Sequence, residues 1–169
     1  MDITFRMSEG TFNYRVCAVM IQDGKLLVMR DERSPYSYLP GGRVKLHEAA
    51  EQAVLREVKE ELGVDAKIIR PLWLVQNFFV EDVDQERYHE LCLYFLVDVS
   101  HTGLLSLGES FSLAEGRHEH QFQWLAFERL EGEYLYPLFL KTAIFHLPDA
   151  LELRTEYEYE ETFQSGDQG

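Results

Sequence analysis

The chain has 169 residues, enough for one domain with a core of ordinary size. Its 30 acidic residues outnumber 16 basic ones, for a net charge of −14, which argues against non-specific binding to DNA, RNA or an anionic membrane. No 18-residue apolar run offers a membrane-spanning helix. The opening MDITFRMSEG lacks the basic-then-apolar pattern of a secretory signal, so the cytoplasm is the expected compartment.

Residues 12 to 30 hold two extended runs, FNYRVCAVMI and KLLVMR, and the Asp23-Gly24 pair between them predicts a hairpin. A loop, ERSPYSY, leads to LPGG at 39 to 42, where paired glycines allow a tight turn and close approach of the backbone to a ligand. A helix is expected from near Glu48 to Leu62, capped by Gly63. Leu55, Val58 and Leu62 form its expected apolar stripe. Residues 66 to 80 and 88 to 99 read as long strands joined across the polar EDVDQER. Residues 100 to 120, with Gly103, Gly108 and Gly116, read as a long irregular segment, usually a functional or mobile feature. QFQWLAF at 121 to 127 is a further strand, and YPLFLKTAIFHL at 136 to 147 a helix bounded by Pro137 and Pro148. The expected division is one domain over 1–150 and an acidic C-terminal tail over 151–169, read as mobile in preference to a final edge strand. Cys17 and Cys92 sit in apolar strand-like runs and read as buried free thiols. The element order predicts an α/β sandwich with a mixed central sheet.

The chemistry is concentrated in residues 42 to 64. Gly42, Glu48, Arg56, Glu57, Val58, Glu60, Glu61, Gly63 and Val64 stand at the spacing G-x5-E-x7-R-E-U-x-E-E-x-G-U, with U aliphatic. Glu57, Glu60 and Glu61 are related by i, i+3 and i+4, so they are neighbours on one helix face. Three such carboxylates repel unless a cation joins them, and hard oxygen donors select Mg²⁺ or Mn²⁺. Such an ion ordinarily completes its shell with water and substrate phosphates.

This spacing resembles the signature of the Nudix hydrolase family. The resemblance spans roughly residues 12 to 147, with its specific part at 39 to 64. It implies an α/β/α sandwich whose motif forms loop–helix–loop, and hydrolysis of a nucleoside diphosphate linked to another group by attack of water on phosphorus. It also implies metal binding by Glu57, Glu60, Glu61 and the Gly41 carbonyl, with Mg²⁺ or Mn²⁺ as cofactor. Gly42, Glu48 and Arg56 take supporting roles, Arg56 by bidentate hydrogen bonds to a carboxylate. Glu57 is a candidate general base; some members use a loop carboxylate instead. Before Trp124 lies EGRHEH, where Glu119 is the first candidate for that base or a further ligand and Glu115 the second. His118 and His120 are weaker candidates for phosphate contacts.

Arg30, with Arg33, is placed to reach phosphates. Tyr38 and Phe78, with Tyr36, Phe79 and Tyr88, offer rings for stacking on a base, against the alternative of packing. The expected partner is a small nucleotide-type substrate, with no nucleic acid or membrane, and the chain is a monomer or homodimer. Two other readings stay open: a hydrolase of a non-nucleotide pyrophosphate, and a catalytically idle ligand-binding module on the same fold.

Overall fold

A computed structural model describes residues 1–158. The expected hairpin forms between β3 (Ile21–Gln22) and β4 (Lys25–Arg30). Asp23 and Gly24 both take positive φ, 51° and 70°, the backbone twist that suits a two-residue hairpin. Before it come β1 (Thr4–Met7) and β2 (Gly10–Val19); after it, β5 (Gly41–Arg43). Helix α1 spans Ala50–Leu62 and stops at Gly63, whose φ of 71° is left-handed and whose N–H donates to the Lys59 carbonyl. Two long strands, β6 (Lys67–Val80) and β7 (Arg87–Asp98), follow as an antiparallel pair.

The chain builds two sheets. The larger is mixed, in the order β1-β2-β7-β6, with β5 alongside β2; β2 and β7 run parallel. Three sequence readings are corrected beyond this point. Residues 100 to 120 are largely regular. After a 3-10 turn at Gly103–Leu107, β8 (Ser110–Glu115) and β9 (His118–Ala126) form a hairpin. Phe111, Leu113 and Glu115 alternate with exposed Ser110, Ser112 and Ala114, a period of two that the glycines had obscured. The second sheet is antiparallel, β3-β4-β9-β8. The expected helix at 136–147 shrinks to α2 (Leu140–Ala143), because flanking amides reach carbonyls three residues back, as Phe145 to Thr142 and His146 to Ala143. In the expected tail, residues 152–158 form β10 (Glu152–Glu158), which extends the mixed sheet by pairing parallel with β6. Residues 159–169 of that tail lie outside the described residues.

Apolar clusters fill both sides of the sheets. One holds Val16, Ala18, Phe95, Phe122 and Trp124 against Ala53, Val54, Val58 and Leu62 of α1. The other holds Cys17, Val19, Trp73, Cys92 and Tyr94 against Leu130, Phe139 and Leu140. This is the expected α/β/α layering. Burying Val54 and Val58 completely contributes about 1.5–3 kcal/mol each relative to exposure. The buried stripe of α1 is Ala50, Ala53, Val54, Val58 and Leu62, with Leu55 only half-buried. Glu61 lies in that stripe too, and this departure from an apolar pattern leads to the site. Cys17 and Cys92 are buried free thiols, as read from sequence, with Sγ atoms 3.6 Å apart.

Candidate active site

Helix α1 lies against β5, so its carboxylates meet the glycine pair. The Gly41 N–H donates to Glu61 Oε1 at 3.0 Å. Both glycines are required by space. A Cβ on Gly42 would overlap the Glu57 carboxyl group, and one on Gly41 would overlap the Val16 carbonyl of the paired strand. The turn thus lets main chain approach two acidic side chains where any other residue would hold them off.

Arg56 organises the outer part of the cluster. Its Nε and Nη2 donate to the two oxygens of Glu48 at 2.6 and 3.0 Å, the bidentate arrangement expected. Nη1 donates to Glu57 at 2.7 Å and to Glu60 at 3.3 Å, and Nη2 also reaches the Arg43 carbonyl at 3.0 Å. The Arg56 hydrogen bond is the main cause that holds the Glu48 carboxyl below its ordinary range.

The three helix carboxylates have different surroundings. Glu60 is the most open, Glu57 is largely covered, and Glu61 is 6% exposed. Burial pushes Glu57 up, opposed by Arg56. Burial pushes Glu61 up to about 9, helped by the charges of Glu57 and Glu115 and opposed by the Gly41 amide. A buried carboxylate facing two others, with one amide donor, is a costly arrangement without a cation.

Such a set of hard oxygen donors fits a divalent ion. Among the described residues no three His, Cys, Asp or Glu side chains converge as a ready cage. Arg56 draws Glu57 and Glu60 outward while Glu61 turns inward to Gly41. Glu57, Glu60 and Glu61 nevertheless share one short stretch of helix beside the glycine turn.

The remaining candidates divide. Glu115 ends β8 on the face that looks toward α1; it bonds His120 Nε2 at 3.1 Å, and its charge is felt at Glu61. Glu119 is exposed on β9. Successive strand residues alternate, so it points with Gln121 away from the α1 side, whereas His120 and Phe122 point toward it. The structure therefore brings the second sequence candidate, not the first, to the carboxylates. His118 is exposed; His120 is buried rather than a loose loop histidine, and its Nδ1 has no hydrogen-bond partner.

Tyr38 is close to the cluster. Its OH donates to Asp31 at 2.9 Å, and it is pushed up by burial first, then by Asp31 and Glu61. Arg30 sits apart, bonded to Ser37 Oγ at 3.3 Å in a polar groove of about 290 Å³ with Ser112, Gln121 and Gln123. Phe78 lies on the open sheet face, stacked on Tyr157 and tilted on His89, and belongs to a different surface. Sequence reading missed Arg15. It lies 4.0 Å from Glu90, and its charge favours the ionised forms of both Glu57 and Glu61. A lone cation inside the apolar run FNYRVCAV was the available signal.

Comparison with known proteins agrees with this geometry. The NUDIX domain model matches residues 11–143, most of the chain. The chain belongs to the NUDIX family. It is a hydrolase of the Nudix type. A relative from Methanocaldococcus jannaschii, an ADP-ribose pyrophosphatase, is 32% identical over 125 residues, 71% of this chain and 71% of that protein. Among solved structures, the MutT protein of Bacillus halodurans shares the fold with a TM-score of 0.57 at 14% identity, covering 86% of this chain and 89% of that one. A UDP-X diphosphatase shares it with a TM-score of 0.56 at 19% identity, covering 86% of this chain and 70% of that one.

Proposed function

We propose that this chain hydrolyses the pyrophosphate bond of a nucleoside diphosphate derivative of the ADP-ribose kind, with Mg²⁺ or Mn²⁺ held by Glu57, Glu60, Glu61 and the Gly41 carbonyl. The observation that carries the reading is Glu61, a buried carboxylate set against Glu57, Glu115 and the glycine turn. Membership of the family and the likeness to an ADP-ribose pyrophosphatase support the bond and the substrate class.

A divalent ion bound there supplies neutralisation of phosphate charge and an acidified water. The protein's own part is positional and protonic. Arg56 fixes Glu48 and Glu57 from one side, and Gly42 leaves the space that Glu57 occupies. Glu57 takes the proton from the attacking water, its affinity for protons raised by burial. Glu115 stands where a second carboxylate joins this work, in the role the sequence reading gave first to Glu119. Tyr38, beside Glu61, lines the approach of the phosphate chain. The net charge of −14 supports a small-molecule substrate over nucleic acid. No helix of the described residues is long and apolar enough to cross a membrane.

The test is a panel of nucleotide derivatives assayed across a Mg²⁺ titration, with Mn²⁺ binding followed directly. Glu60→Gln and Glu61→Gln keep shape and remove charge. Both are expected to bind Mn²⁺ more weakly and turn over more slowly while staying folded. Wild-type rates in these variants across the titration refute the metal assignment. Label from ¹⁸O-water on a carbon hydroxyl, rather than on a phosphate, refutes attack at phosphorus.

A further inference from the structure

The hairpin of β8 and β9 closes over a two-residue turn, Gly116-Arg117, with Gly116 at φ 60°. So short a turn fixes the register: Glu115 faces His118, and Leu113 faces His120. Residues opposite one another in a ladder share a face, and every second residue along each strand joins them. Phe111, Leu113 and Glu115 of β8 therefore line up with His118, His120 and Phe122 of β9, on the side that packs against α1. Glu115 and His120 are diagonal neighbours on this face, a separation that only long side chains span. They span it: His120 Nε2 lies 3.1 Å from Glu115 Oε2.

The two partners differ in their surroundings. The His120 side chain is 9% exposed and the Glu115 side chain 39%, so a buried ring reaches a carboxylate at the edge of the site. An ionised carboxylate only accepts, so the bond needs the ring proton on Nε2. Nδ1 is then the bare nitrogen of the ring. It is buried and has no hydrogen-bond partner among the described residues. Packing alone does not account for an imidazole here. Phe122, next on the same face, fills its place with a ring that has no polar atom to leave unpaired. A phenyl ring at 120 would avoid the unpaired Nδ1 and would lose only the Nε2–H. The bond engages Oε2 of Glu115 and leaves Oε1 outside it.

We propose that His120 is a positioning residue for hydrolysis: its Nε2–H holds Glu115 on the α1 side by one oxygen and leaves the other oxygen for the attacking water. This role rests on the proposed part of Glu115 in the reaction. Unheld, Glu115 has reason to leave. Its charge is felt at Glu61, whose own charge and that of Glu57 repel it, and open solvent is within reach of its side chain. A hydrogen bond from a buried, rigid ring opposes that repulsion and selects one rotamer. This is the arrangement of a proton acceptor steadied by a third group behind it.

Steady-state kinetics with Mg²⁺, on the nucleotide derivative of the panel that the wild type cleaves fastest, test the proposal. His120→Phe keeps a ring and removes the donor. It is expected to lower kcat on the order of 10²-fold, the effect of a misplaced reacting group, with KM nearly unchanged and Tm no lower than wild type. His120→Gln, whose amide nitrogen spans the distance to Glu115, is expected within about tenfold of the wild-type kcat. His120→Asn, one carbon shorter, is expected to be as slow as His120→Phe. The double variant His120→Phe/Glu115→Gln is expected to be no slower than Glu115→Gln alone, because the ring acts only through that carboxylate. Apart from activity, the ¹⁵N shifts of the His120 ring are expected to place the proton on Nε2. A slow Glu115→Gln beside a His120→Phe at the wild-type rate overturns the positioning role and leaves the reading of Glu115 intact. Glu115→Gln at the wild-type rate removes that reading and this role together. Losses that multiply in the double variant show a structural defect and overturn the role, as does a ring proton on Nδ1. Should His120→Phe misfold, His120→Gln and His120→Asn decide, and equal rates in these two overturn the role.

Discussion

Gly42→Ala isolates the link between the glycine turn and the carboxylates of α1. The added methyl would lie 2.6 Å from Glu57 Oε2 and closer still to the rest of that carboxyl group. Backbone is not in the way; the obstacle is the tip of a flexible side chain. The carboxylate therefore swings aside and loses its 2.7 Å bond from Arg56, while the strand pairing of β5 holds. The stability cost falls at the low end of overpacking, about 1 kcal/mol. That corresponds to a fall in Tm of about 2–4 °C for a chain of this size. With Glu57 in its proposed role, activity suffers more, because displacing a catalytic group by ~1 Å costs on the order of 10²-fold. Gly41→Ala is the control. Its methyl would overlap the Val16 carbonyl and come within 3.0 Å of Cys17 Cα, so β5 must part from β2, at about 3 kcal/mol or more. Differential scanning calorimetry and steady-state kinetics on both variants separate the effects. Gly42→Ala is expected near wild-type Tm with kcat reduced about 100-fold. A kcat within threefold of wild type would refute the idea that this glycine makes room for Glu57. A Tm loss as large as that of Gly41→Ala would refute the claim that only a side chain has to move.

Three further outcomes are expected. Glu115→Gln lowers kcat by about 10²–10⁴-fold and Glu119→Gln by less than threefold, because only Glu115 faces α1; single-turnover kinetics that reverse this order refute the assignment of faces. Arg56→Lys cannot serve Glu48, Glu57, Glu60 and the Arg43 carbonyl from one ammonium, so Tm falls by about 4–8 °C for a loss near 2 kcal/mol, with turnover reduced as well; an unchanged melt shows the network to be idle. In chelator-treated protein, Glu61 holds its proton up to about 9, above its ordinary value near 4.5. The stability it contributes is complete below about 4.5 and is lost as pH rises through 9, so unfolding in urea becomes easier over that window; Glu61→Gln flattens the slope, and an equal slope in both proteins refutes the buried, unpaired state of Glu61.

The parts of the fold legible in the sequence were those with a local cause. Asp23-Gly24, Gly63 and the long β-rich runs each carry their own geometry, and their elements came within a residue or two of their expected bounds. Errors arose where the cause lay elsewhere in space. ELRTEYE reads as an acidic tail when viewed alone, because its apolar residues are spaced at two and interleaved with charge. That same spacing makes it a strand once β6 supplies a hydrogen-bonding edge, which no inspection of residues 152–158 can reveal. Likewise, residues 110–120 were judged by their glycines rather than by the alternation of Phe111, Leu113 and Glu115.

The same division explains the site. Periodicity placed Glu57, Glu60 and Glu61 on one helix face, but it said nothing of how deep each would lie. Glu61 occupies the buried stripe of α1 because it follows Val58 by three residues and Val54 by seven, positions that repeat on one face. A helix designed only to pack would put an aliphatic residue there, since burying a carboxylate weakens the protein unless something compensates. The sequence thus contained a conflict between pattern and chemistry, and its resolution depended on neighbours contributed from elsewhere: Gly41 from β5 and Glu115 from β8. Choosing between Glu115 and Glu119 required the register of β8 on β9, a long-range fact. On the proposed metal role, a carboxylate kept where packing wants leucine is a cost of folding retained for a cation, and opposed effects of Glu61→Gln on metal-free stability and on Mn²⁺ affinity are the expected measurable form of that conflict.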